Sequence, residues 1–114
     1  MFQSQRKKQI LAHLNGIPKE ARSPFDCLLA DWMDGRMKNR LKELGVRRLS
    51  VHIDWQDDRR CIYIEGRLGE RYLELEIESL EFSYACSDIE PDDHLSLPLQ
   101  SPEQIYAVIE HLAS

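Results

Sequence analysis

At Gly45 the hydrophobic rhythm of this chain changes, and the change limits the folds open to it. Before it, Phe25, Leu28, Leu29, Trp32, Met33, Met37, Leu41 and Leu44 recur at spacings of three and four, the period of an amphipathic helix. From Val46 on, Leu49, Val51, Ile53 and Trp55 alternate with Arg48, Ser50, His52 and Asp54, the period of a half-buried strand. A chain that is amphipathic first as helix and then as strand packs its helices on one face of an antiparallel sheet. The expectation is an α+β fold with two N-terminal helices, an antiparallel meander of three to five strands, and a C-terminal helix packed on one sheet face. At 114 residues it reads as one domain over 1–114.

The first helix is expected from about Ser4 to Asn15, with Ile10, Leu11 and Leu14 as its apolar face and Gly16 and Pro18 ending it. Arg6, Lys7 and Lys8 sit in its first turns, where the helix dipole favours anions, so those cations need another reason to be there. The second helix starts at Ser23 as N-cap with Pro24 in the first helical position. Asp34-Gly35 lies inside it and marks a kink or a break into two shorter helices. Asp26, Asp31 and Asp34 come early and Arg36, Lys38, Arg40 and Lys42 late, an order that suits the dipole.

Strands follow over Arg60 to Gly66 and through Tyr72 to Glu78, with turns at 56–59 and 67–70. Setting Ile53 opposite Ile62, and Ile62 opposite Leu75, makes a consistent register. Val51, Ile64 and Leu73 then form the next apolar row. The opposite face carries the rows Asp54–Cys61–Glu76, His52–Tyr63–Glu74 and Ser50–Glu65–Tyr72. The apolar positions change from odd at Leu73, Leu75 and Ile77 to even at Leu80, Phe82 and Tyr84, which marks a bulge or a turn into a new strand near Ser79. Residues 94–99 suit a short edge strand, because Pro98 excludes a central place. Ser101-Pro102-Glu103-Gln104 is a capping box that opens a helix with Ile105, Val108, Ile109 and Leu112 as its stripe.

Charge is divided along the chain. Residues 1–50 hold 11 Lys/Arg against 5 Asp/Glu, and residues 51–114 hold 4 against 15, within a net of −5. Such asymmetry points to a charged partner or to two halves that face each other. No apolar run approaches the ~20 residues of a membrane span, and the N-terminus has no apolar signal-peptide region. Cys27, Cys61 and Cys86 are widely spaced, an odd set that reads as reduced thiols in a cytoplasmic protein.

Three functions are expected in descending order. The first is a non-enzymatic protein-interaction module, in which Glu74, Glu76 and Glu78 offer an acidic sheet surface to a basic protein or to a second copy. The second is a nucleic-acid-associated regulator, in which Arg36, Arg40 and Arg47 share a helix face and grip phosphates. The divided placement of the cations and the lack of a reader motif disfavour it. The third is a small enzyme with an acid–base site at His52, Tyr63 and Glu74, with Cys61 as a possible nucleophile beside it. No catalytic motif accompanies that row, and the sequence implies no cofactor, no metal site and no membrane partner. The acidic 88–93 segment lacks the calcium-loop pattern.

Overall fold

The computed structural model describes residues 2–79, 82–86, 95–97 and 100–113, with side chains for 5–79 and 100–113. The chain is α+β. Helices α1 (Phe2–Asn15), α2 (Pro24–Asp34) and α3 (Arg36–Glu43) precede strands β1 (Val46–Trp55), β2 (Arg60–Leu68), β3 (Arg71–Glu78), β4 (Phe82–Cys86) and β5 (Leu95–Leu97), and α4 (Pro102–Ala113) follows. The strands pair in sequence order as an antiparallel meander, with β1 and β5 at the two edges. The 88–93 segment, Leu80 and Glu81 lie outside the described residues.

The expected second helix is two helices. The chain breaks at Gly35, whose φ of 80° lies in the left-handed region, and α3 sets off again one residue later. At the start of α2, Ser23 accepts from Asp26 N while Asp26 accepts from Ser23 N, so both free donors are satisfied. The first helix begins at Phe2 rather than at a Ser4 cap, and it ends at Gly16, whose N–H reaches the carbonyls of Ala12 and His13. At the start of α4, Gln104 Oε1 reaches back to Gln100 N at 2.8 Å, one residue before the expected capping position.

One apolar cluster joins the layers. It takes Ile10 and Leu14 from α1, Phe25, Leu28 and Leu29 from α2, Met37 and Leu41 from α3, and Ile105, Tyr106 and Ile109 from α4. Against these lie Val46, Ile53, Ile62, Ile64, Leu68, Leu73, Leu75 and Ile77 of the sheet. Each fully buried Leu or Ile contributes about 1.5–3 kcal/mol, so this face dominates the energetics of the fold. Helix α4 lies against α2 and α3. Tyr106 Oη donates to Asp31 at 3.2 Å, and Arg40 forms a bidentate pair with Glu103 while its guanidinium sits 4.1 Å over the Tyr106 ring.

Two of the three misplaced cations of α1 have partners. Arg6 Nη1 donates to Ile53 O at 2.6 Å, on the outer edge of β1, and Lys7 Nζ stands 5.6 Å over the Trp32 ring. These tertiary contacts outweigh an unfavourable dipole placement worth only about 0.3–1 kcal/mol per charge.

The β1–β2 register is the expected one, with Ile53 opposite Ile62 and His52 opposite Tyr63. The β2–β3 register differs by two residues: Ile62 faces Ile77, not Leu75, and Tyr63 faces Glu76, not Glu74. The turn decides this. Leu68 pairs with Arg71 across a two-residue loop, Gly69-Glu70, with Gly69 at φ 63°, and so tight a hairpin pulls the pairing two residues further along. A slip of two keeps each residue on its face, so the apolar pattern alone did not distinguish the two registers. The parity change after β3 is a turn into β4, since Ile77 pairs with Phe82. The segment containing Leu95 and Leu97 is the edge strand expected from Pro98.

Candidate surface on the uncovered sheet face

The rows on the face turned away from the core are now defined. From one end they read Arg47–Arg67–Tyr72, Ser50–Glu65–Glu74, His52–Tyr63–Glu76 and Asp54–Cys61–Glu78. Ser50, His52, Glu65, Arg67 and Glu74 are exposed, and Tyr63, Tyr72, Glu76 and Glu78 are half-buried. No described helix is long and apolar enough to cross a membrane.

At the acidic end Glu76 and Glu78 already have a cation, one that the sequence reading missed. Arg59, held in the β1–β2 turn that Gln56 N closes onto Arg59 O, places Nη2 2.5 Å from Glu76 and 3.4 Å from Glu78. Beneath lies Cys61, fully buried yet outside the apolar cluster. Burial pushes the Cys61 thiol up, and hydrogen bonds from Tyr63 and Arg59 offset this only in part, so it stays protonated near neutral pH and is a poor nucleophile. Sγ of Cys61 and the carboxylates of Glu76 and Glu78 come within 4.8 Å of one another, a grouping that could hold a metal ion. The Arg59 guanidinium sits on both carboxylates, so the site already carries the positive charge a metal would bring.

In the middle, Ser50, His52, Tyr63, Glu65 and Glu74 line a depression of about 480 Å³. The His52 and Tyr63 rings are tilted by 36° with centroids 6.2 Å apart. Burial, and after it the hydrogen bond with Cys61, pushes Tyr63 up to about 12, so it remains a phenol. The expected His52–Tyr63–Glu74 row is therefore corrected: Glu76 completes the row, and Glu74 faces Glu65 one row away. All three expected residues still border the depression. Glu65 and Glu74 stand directly opposite each other, and neither forms an ion pair among the described residues. Desolvation and these two carboxylates push the neighbouring Tyr72 phenol up.

The expected phosphate-gripping set assembles only in part: Arg36 and Arg40 border one depression, and Arg47 borders another. Arg36 pairs with Asp34 at 3.8 Å and Arg40 with Glu103, while Arg47 is in β1 because α3 stops at Glu43. Arg47 instead joins Arg48 and Arg67, with Gly69 and Glu70, around a depression of about 440 Å³. The signal for this was present: Val46 and Leu49 are both apolar and three apart, a spacing a regular strand cannot place on one face.

A further constellation was also missed. His13 Nε2 lies 2.8 Å from Asp26 Oδ1, and Ser23 Oγ donates to the other Asp26 oxygen at 2.9 Å. The order is not that of a nucleophilic triad, since Asp26 stands between the histidine and the serine. Arg60 Nη1 lies 3.4 Å from His13 Nδ1 on the other side of the ring. With Trp55 edge-on to His13 and beneath Arg60, the group ties α1 and α2 to the β1–β2 hairpin. Cys27 and Cys61 are free thiols, and burial followed by Asp31 pushes Cys27 up as well.

No protein-family model, curated protein or solved structure matches the chain.

Proposed function

We propose that the chain is a non-enzymatic protein-interaction module that binds a basic protein through the uncovered sheet face. The observation that carries this reading is the Glu65–Glu74 pair. Two carboxylates face each other across β2 and β3 at the border of a depression walled by His52 and Tyr63, with no cation on either among the described residues. Like charges directly opposite each other destabilise a sheet, and an incoming Lys or Arg side chain relieves that repulsion. The aromatic walls suit the apolar stem and the charge of such a side chain. In this reading the C-terminal helix belongs to the layer over the apolar face and leaves the other face free for contact. Glu74 is the centre of the surface, whereas Glu76 and Glu78, already held by Arg59, form its border.

Capture on immobilised protein in low and high salt tests this. A basic partner should be retained by the wild type and by Glu76→Gln/Glu78→Gln, and released by salt and by Glu65→Gln/Glu74→Gln. Equal loss in both double variants overturns the assignment. So does the absence of any partner together with a monomer in sedimentation.

A further inference from the structure

The charges at the other end of the same face are arranged differently, and the difference begins with the backbone. Val46 pairs with Leu68 and Arg47 with Arg67, but the next pair is Ser50 with Glu65. Arg48 and Leu49 therefore stand opposite Gly66 alone, which is a β-bulge. Arg48 adopts φ 53°, the left-handed region that side-chain-bearing residues avoid, and it is the only such non-glycine residue among those described. Gly66 makes room for the bulge, since a Cβ there would stand 2.5 Å from Val46 Cγ1 and 3.0 Å from Arg47 O.

The bulge has a consequence for the side chains. Consecutive residues of a regular strand point to opposite faces, so Arg47 and Arg48 would be separated by the sheet. Here both line one depression together with Arg67. Arg47 and Arg67 are also directly opposed across β1 and β2, a like-charge pair that a sheet ordinarily avoids. Arg47 reaches only Gly69 O, at 3.5 Å, and neither Arg48 nor Arg67 has a hydrogen bond or ion pair among the described residues. Glu70 borders the same depression, one carboxylate beside three guanidinium groups. Two unfavourable features, a left-handed arginine and an opposed arginine pair, thus coincide at one concavity, and both serve to gather guanidinium groups there.

We infer that this depression is an anion site that receives the phosphate of a phosphorylated ligand. Guanidinium groups bind phosphate oxygens through paired, charge-assisted hydrogen bonds, and a polyvalent anion removes the Arg47–Arg67 repulsion. The site is separate from the Glu65–Glu74 surface and stands or falls without it. Phosphate can arrive on a small molecule or along a nucleic-acid backbone, and the chemistry at the arginines is the same.

Titration of the full chain with inorganic pyrophosphate, a mononucleotide and a short single-stranded oligonucleotide, followed by amide NMR at low salt, tests the site. Shifts should centre on Arg48, Leu49, Gly66 and Gly69. Arg67→Ala should weaken binding about tenfold or more, the scale of one lost charge-assisted hydrogen bond. Arg48→Gly should do the same while keeping the left-handed backbone, so its loss of binding is not a loss of fold. Arg36→Ala, which changes net charge equally but borders a different depression, should bind as the wild type does. Much tighter, steeply salt-dependent binding of the oligonucleotide assigns the phosphate to nucleic acid. Comparable binding of all three probes assigns it to a free phosphorylated compound. No saturable shift with any probe, or equal weakening by Arg36→Ala, overturns the proposal.

Discussion

The two ends of the sheet face turned away from the core treat charge in opposite ways. At one end Glu76 and Glu78 approach each other, but Arg59 spans both and Cys61 is sealed beneath them on an ordinary ladder. At the other, Arg47 and Arg67 are opposed beside a bulge at the left-handed Arg48, with no carboxylate bonded to either among the described residues. Both ends are dense in charge, and only one has resolved it internally. Charge density is therefore a weak guide to function, and the absence of an internal partner is a better one. Between the two ends, Glu65 and Glu74 likewise lack a counter-charge among the described residues.

The contrast can be broken most forcefully at Gly66. Gly66→Ala forces the bulge against Val46 and the Arg47 carbonyl, an overpacking that should destabilise the chain by about 1–3 kcal/mol in urea unfolding. A neutral result would mean that the bulge tolerates displacement and does not hold the arginines in place. A smaller effect of opposite sign is expected at the residue that carries the strain. Arg48→Gly relieves a left-handed side chain, an arrangement costing about 1–2 kcal/mol, and gives back part of that as backbone entropy. The variant should gain up to about 1 kcal/mol in the same measurement while losing the anion site. The smallest effect belongs to the acidic end. Arg59→Ala should lower the melting temperature only slightly, because the pairs it removes lie at the surface, and added salt should erase the difference from wild type. A large, salt-independent loss would show that Arg59 acts as a cover for Cys61 rather than as a counter-charge.

Much of this architecture was legible in the sequence because short-range patterns encode it. The alternation from Leu49 to Trp55 and from Ile62 to Ile64, joined by a four-residue turn, fixed the β1–β2 register, and Ser23-Pro24 marked the start of α2. Alternation has a period of two, so it cannot choose between registers that differ by two, and only the Gly69-Glu70 turn does. Side-chain partners were less legible still. Arg36 finds Asp34 two residues away, but Arg40 finds Glu103 across 63 residues of chain, and only the fold brings them together. The same holds for Arg59 and Glu76. The bulge at Arg48 left a trace in the three-residue spacing of Val46 and Leu49, yet its functional content, three arginines around one concavity, needed the third dimension.

The Arg6 contact has a further consequence. Strand β1 is an outer strand, and an outer strand exposes backbone groups that any other extended polypeptide can bind. By donating to Ile53 O, the guanidinium of Arg6 occupies one of those acceptors and sets a positive charge beside it. The first helix thus acts as a guard on the open side of the sheet as well as a contributor to its core. A chain shortened past this arginine would present a longer bare strand to its neighbours, and such strands are where ordered protein aggregates begin.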